Sequence, residues 1–208
     1  MNVFYEESGN FKVGTILADN TTSLQVEAAH GKRSKIKASS ILLRFETPAL
    51  IEFMEKAHEI ADELDPDFLW ECCTQDTEFE SDTLAAEYFG HIPEPVESAA
   101  TLILLHNAPM YFYKKGKGRY KAAPPDALKA AIASQEKKRA QAEVKARYIE
   151  QLSNTTLPEE FNPIITNLLY KPDKNSIEWK ALDEACAQMK LSVSGLLEKC
   201  GAIPSSHD

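Results

Sequence analysis

Five β-rich runs crowd the first 46 residues, and that density constrains the fold more than any other feature of the chain. Asn2–Tyr5, Phe11–Asp19, Ser23–Ala28, Arg33–Lys37 and Ile41–Phe45 are separated by turn-forming residues: Ser8-Gly9-Asn10, Asp19-Asn20, His30-Gly31-Lys32 and Ser39-Ser40. Within Ser23–Ala28, Leu24, Val26 and Ala28 fall on one face of a strand. Short strands with short connections pair antiparallel, and curling them into a barrel removes the exposed edges. The expectation for residues 1–46 is an SH3-like small β-barrel.

The pattern then changes period. Thr47-Pro48 reads as an N-cap followed by proline at the first helical position, and Leu50, Ile51, Met54, His58 and Ile60-Ala61 form a helical stripe to about Leu64. Shorter helices are predicted over Pro66–Cys73, Ser81–Phe89 and Pro95–Asn107, with Ser81 as an N-cap and Gly90 as a stop. Met110–Tyr113 and Arg119–Lys121 flank the turn Lys115-Gly116-Lys117-Gly118, as in a β-hairpin. Three helices and a hairpin, in that order, predict a winged helix-turn-helix over 47–124, with the hairpin as its wing.

A long helix is predicted from Pro125 to about Leu152, with apolar pairs at its ends (Leu128 with Ile132, Tyr148 with Leu152) and a polar or Ala middle over Ser134–Lys145. A helix polar all round in its middle bridges two bodies through solvent. Further helices are predicted over Pro158–Tyr170, Ser176–Met189 and Ser192–Lys199, stopped by Cys200-Gly201. The last residues, Pro204–Asp208, read as a linker. The fold class is therefore α+β: barrel, winged helix, then a third region over 125–208 of long helix and helical segment.

Composition excludes some functions. The chain is 43% apolar and 26% charged, which is ordinary for a globular protein. The opening MNVFYEESGN is acidic, without the apolar core of a signal peptide, and the longest apolar run, around Ala99–Leu105, is too short to span a bilayer. A cytoplasmic location without membrane association is expected. Cys72, Cys73, Cys186 and Cys200 lack metal-ligand spacing and read as reduced thiols, and the histidines are scattered.

Charge is segregated along the chain. Residues 47–108 hold one Lys or Arg against fifteen Asp or Glu, whereas residues 109–147 hold eleven against three. One face can then attract RNA while another repels it or meets a protein.

Phe4–Phe45 resembles the opening of a bacterial and plastid branch of the ribonuclease II (RNB) exoribonucleases, and the glycine-plus-basic turn His30–Lys35 is the most specific part of that resemblance. Asp67–Cys73 (DFLWECC), Leu84–Gly90 (LAAEYFG), Ala108–Pro125 (APMYFYKKGKGRYKAAPP) and the closing Leu196–Ser206 (LLEKCGAIPSS) follow in the matching order. The resemblance implies the N-terminal, non-catalytic region of a hydrolytic 3′-to-5′ exoribonuclease. In that family, clustered aspartates of the RNB domain hold magnesium and activate a water. Asp62, Asp65 and Asp67 imitate such a cluster but sit at a helix exit and read as capping carboxylates. No catalytic residue, metal ligand or cofactor is expected in this chain. Magnesium, the chemistry and the RNB domain belong to the longer enzyme.

Two groups are candidates for single-stranded RNA. Lys35 and Lys37 alternate with Ile36 and so share a strand face near Lys32 and Arg33, a cluster suited to phosphates. The same lysines would serve as edge protection. In the wing, Lys114, Lys115, Lys117, Arg119 and Lys121 interleave with Tyr111, Tyr113 and Tyr120, joining charge to stacking. The alternative places some tyrosines in the core. Lys137-Lys138-Arg139 and Lys145-Ala146-Arg147 read as a solvated face.

Three functions remain at this point: RNA guiding, a scaffold that docks on the enzyme's own catalytic domain or another protein through residues 47–108, and a winged-helix DNA regulator. The last is the weakest, because Pro95–Asn107, the positional recognition helix, has no Lys or Arg.

Overall fold

All five N-terminal strands form in the computed structural model, which describes residues 1–204. They are β1 (Asn2–Glu7), β2 (Asn10–Asp19), β3 (Ser23–Glu27), β4 (Arg33–Lys37) and β5 (Ile41–Phe45), antiparallel in the order β4-β3-β2-β1-β5. The Ser8-Gly9 turn places both residues at positive φ, 52° and 78°, the backbone a two-residue hairpin needs. A single 3-10 turn, Ala38–Ser40, joins β4 to β5.

The sheet is curled. Three strand spacings in a flat sheet would hold β1 and β4 about 14 Å apart, yet Val3 and Tyr5 of β1 share one core with Ile36 of β4. The Tyr5 side chain also hydrogen-bonds that of Ser34, and burial pushes the Tyr5 hydroxyl pKa up.

The opposite face of β1 and β5 is apolar too, and it packs on the next region. That region comprises α1 (Leu50–Glu63), α2 (Pro66–Cys72), β6 (Glu78–Glu80), α3 (Ser81–Phe89), α4 (Pro95–Asn107), β7 (Phe112–Gly116) and β8 (Arg119–Ala122). Phe45 of β5 stacks on Phe53 of α1 with ring centroids 3.7 Å apart, and Phe4 lies 6.1 Å from the same ring. Phe4, Phe45, Phe53, Leu69, Leu84, Leu105, Phe112 and Tyr120 belong to one continuous core. Barrel and winged helix are therefore parts of one compact unit, residues 1–131.

Several local expectations need correction. The Thr47-Pro48 peptide is cis, and α1 starts two residues later, with Ala49 at the cap position and its carbonyl accepting from Phe53 N–H. The buried stripe of α1 is Phe53, Ala57 and Ala61, while Ile51 is 63% exposed and His58 is exposed. One large ring, Phe53, sets the helix rotation by filling the space beneath Phe45. Ser81 is the first residue of α3 rather than its cap, a position taken by Glu80. Strand β6 went unread because its three residues, Glu-Phe-Glu, gain their pairing from the neighbouring β8, where Phe79 lies opposite Tyr120.

Gly90 stops α3 at φ 75° as predicted. Helix α4 is buried at every residue from Ser98 to Leu105, so it is a core helix without a free face to lay in a DNA groove. Its start is held by Glu97, whose carboxylate accepts from the Glu94 N–H (2.9 Å) and pairs with His91 Nε2 (2.8 Å). The hydrogen bond to Glu97 raises the His91 pKa above its ordinary value. A raised folded-state pKa adds stability that is complete below the unfolded pKa of about 6.5. That contribution is lost as pH rises through the folded value. Denaturation midpoints measured across this range are expected to depend less on pH in His91→Gln than in the parent chain.

The second unit runs from Ile132 onward and has its own core of Tyr148, Leu152, Phe161, Leu168, Ala181, Leu182, Leu196 and Leu197. Its elements are most of α5 (Pro125–Ser153), a 3-10 stretch Glu159–Ile164, α6 (Ile165–Tyr170), α7 (Ile177–Met189) and α8 (Val193–Lys199). The predicted helix over Pro158–Tyr170 opens as a 3-10 stretch around Pro163, which has no N–H to donate. Ser176 and Ser192 cap α7 and α8 by accepting from Trp179 N–H (3.2 Å) and Gly195 N–H (3.0 Å). The α5 residues 132–143 are all exposed, Ile132 included, whereas Leu128 and Leu152 are buried in their respective units. Arg139 is held between Glu136 and Glu143 on the same helix. The stretch 205–208, part of the predicted linker, lies outside the described residues.

Candidate nucleic-acid interface

Strand β4 presents its cations outward. Ile36 is 4% exposed and points into the barrel, which turns Lys35 and Lys37 to the outer face. Lys32 sits in the turn before the strand, and Arg33 is paired with Glu27 at 3.1 Å. Among the described residues Lys32, Lys35 and Lys37 have no ion-pair partner. They present positive charge to solvent.

The wing is less uniform than its sequence. In the hairpin, Phe112 faces Ala122 and Lys114 faces Tyr120, so these four share one side of the ribbon. That side packs inward, and Tyr120 is 3% exposed. Tyr120 belongs to the core, which removes it from the candidate stacking residues, and burial pushes its hydroxyl pKa up to about 12. Tyr111 is buried as well, its pKa raised to about 12 by burial and then by a hydrogen bond to Asp67. Tyr113, at 36% exposed, remains a platform, with Lys115 Nζ lying 6.0 Å from its ring centroid. The strand alternation Phe112, Lys114 and Tyr120, Ala122 is the signal that would have placed Tyr120 inside.

Three wing cations are engaged by acids. Lys114 Nζ donates to both Glu6 oxygens at 2.7 and 2.8 Å, Lys121 lies 3.9 Å from Asp76, and Arg119 lies 4.0 Å from Glu78. Lys115 and Lys117 have no such partner among the described residues. The Lys114–Glu6 pair links wing to barrel at a partly exposed site, where ion pairs contribute about 0–1 kcal/mol. Lys114→Gln is accordingly expected to shift the denaturation midpoint only slightly.

A cleft of about 360 Å³ lies between barrel and wing. Ser8 and Gly9 of the first hairpin turn line it, as do Ser39 and Ser40, Glu6, Lys114 and Lys117. Strand β4 runs directly into the 3-10 turn that carries the two serines, and its cations lie outside the cleft lining. Ser40 Oγ donates to the Lys37 carbonyl at 2.6 Å, which leaves the Ser8 and Ser39 hydroxyls beside the lysines as donors suited to phosphate oxygens. Ser39 reads as no more than part of a turn in the sequence, because its place in the cleft depends on a wing that lies far along the chain.

The acidic candidates do not form a metal centre. Asp65 caps α2, accepting from Asp67 N–H at 3.0 Å, and Asp67 serves Tyr111. Among the described residues no three His, Cys, Asp or Glu side chains are grouped to hold a metal ion. Burial raises the Cys73 thiol pKa to about 11, which keeps it protonated. No helix among the described residues is long and apolar enough to cross a membrane.

With this geometry in view, residues 52–127 match the family model of the ribonuclease II winged helix domain. The match begins in α1, takes in every element from α2 through β8 and ends in the first turn of α5, so the similarity lies in the winged-helix region. No curated protein and no solved structure matches the chain.

Proposed function

We propose that this chain is the RNA-guiding N-terminal region of a hydrolytic 3′-to-5′ exoribonuclease of the RNB family, working in the cytoplasm on single-stranded RNA. Its similarity to the ribonuclease II winged helix domain supports the family reading. The RNA role is supported by Lys32, Lys35, Lys37, Lys115 and Lys117, which have no acid partner among the described residues, and by the place of Lys117 in the cleft between barrel and wing. Phosphate contacts hold the strand without reading its sequence, as an enzyme that degrades RNA processively requires. In this reading hydrolysis, with aspartate-held magnesium, belongs to an RNB domain outside this chain.

The test is binding of fluorescent single-stranded RNA to this chain across a salt series, with a parallel search for cleavage products. Five phosphate contacts predict a log–log salt slope of about −3.5. Salt-dependent binding without products supports the proposal. Absence of binding at low salt refutes RNA guiding by this region.

A further inference from the structure

Helix α1 carries two apolar stripes, and the fold buries one of them. Phe53, Ala57 and Ala61 are buried in the core and Leu50 and Met54 are half-buried at its edge, whereas Ile51 and His58 are exposed. Leu50, Ile51, Met54 and His58 join Val13 of β2 and Ala29 in lining an open groove of about 490 Å³. Its rim is acidic, with Glu55, Glu59 and Asp62 along the helix. The lysine of α1, Lys56, is already paired with Glu52 at 3.2 Å.

A single exposed isoleucine needs no explanation, but an apolar floor bordered by charges of one sign marks an interaction site. The rim also selects the occupant. Carboxylates repel the phosphates of RNA, and a second copy of the chain would bring the same carboxylates face to face. Apolar side chains flanked by Lys or Arg satisfy both floor and rim.

We propose that the groove between α1 and β2 docks a basic amphipathic protein helix, apolar at i, i+3, i+4 and i+7 and carrying Lys or Arg on its flanks. This site shares no residue with the RNA cleft and stands whether or not the chain binds RNA.

The test titrates the chain with a labelled peptide of that pattern, Leu at the four positions and Lys between them. One control shuffles the same residues, and another replaces each Lys with Glu. The patterned peptide is expected to bind at least about tenfold more tightly than either control. Ile51→Asp is expected to weaken it by about tenfold or more, with circular dichroism and thermal midpoint unchanged, and Ile51→Ser serves as a second, milder variant. The Glu55→Lys, Glu59→Lys double variant is expected to reverse the preference toward the Glu peptide.

Equal binding of patterned and shuffled peptides, or no binding of the patterned one, overturns the proposal. So does a pair of folded Ile51 variants that bind it undiminished. Competition by single-stranded RNA, or an Ile51-dependent dimer in sedimentation, assigns the groove to another occupant and equally overturns it.

Discussion

Replacing Lys35, Lys37 and Lys117 together with glutamine is expected to lower the affinity for single-stranded RNA on the order of 100-fold at low salt. The magnitude follows from counterion release, since each phosphate neutralised on a single strand adds about 0.7 to the salt slope, and three lost contacts flatten it by about 2. The chosen lysines lie on β4 and the wing and have no acid partner among the described residues, and Lys117 lines the cleft. Because they are exposed, their loss should leave the thermal midpoint nearly unchanged, which separates a binding defect from a folding one. Lys114→Gln is the matched control, as it removes one charge from a pair already neutralised by Glu6. Fluorescence anisotropy across a salt series measures both quantities. A triple variant that keeps the parental slope would mean that RNA does not run along β4 and the wing.

Phe53→Ala is expected to destabilise the first unit by about 3–5 kcal/mol. This is a large share of the ~5–15 kcal/mol available to a typical domain. Phe53 is fully buried, stacks on Phe45 of the barrel and belongs to the core that also holds Leu69, Leu105 and Phe112 of the winged helix. The cavity would open between the two substructures, so both should lose stability together. Trp70 of α2, whose Nε1–H donates to the Ala123 carbonyl at 2.9 Å, reports the winged helix in a Trp179→Phe background. Amide hydrogen exchange in β1 and β3 reports the barrel. Matching losses by the two probes support one cooperative unit. Retained barrel protection beside a shifted Trp70 transition would mean that the barrel folds independently.

Much of this architecture was legible in local residues, for reasons that are themselves local. Gly90 and Gly201 mark helix stops because their backbones sit at positive φ, and Ser176 and Ser192 mark helix starts because a hydroxyl can accept an unpaired N–H. The strand alternation of Lys35, Ile36 and Lys37 told which side faces water. The winged helix was readable as an order of elements, and it is the part that the family model matches.

Other features were decided by contacts between distant parts of the chain. Helix α1 offers two apolar stripes, and local periodicity cannot choose between them. The choice was made by Phe45, whose ring receives Phe53 and leaves Ile51 in solvent. Strand β6 exists because β8 supplies its hydrogen-bond partners. Tyr120 and Lys114 read as equal members of a basic, aromatic wing, until core packing took the tyrosine and Glu6, 108 residues away in sequence, took the lysine. Sequence by itself determined which residues could form strands, helices and turns, because propensity, capping and alternation act over a few neighbours. Tertiary structure alone decided which stripe is buried and which cations stay free, because burial and charge pairing depend on surfaces that touch only once the chain has folded.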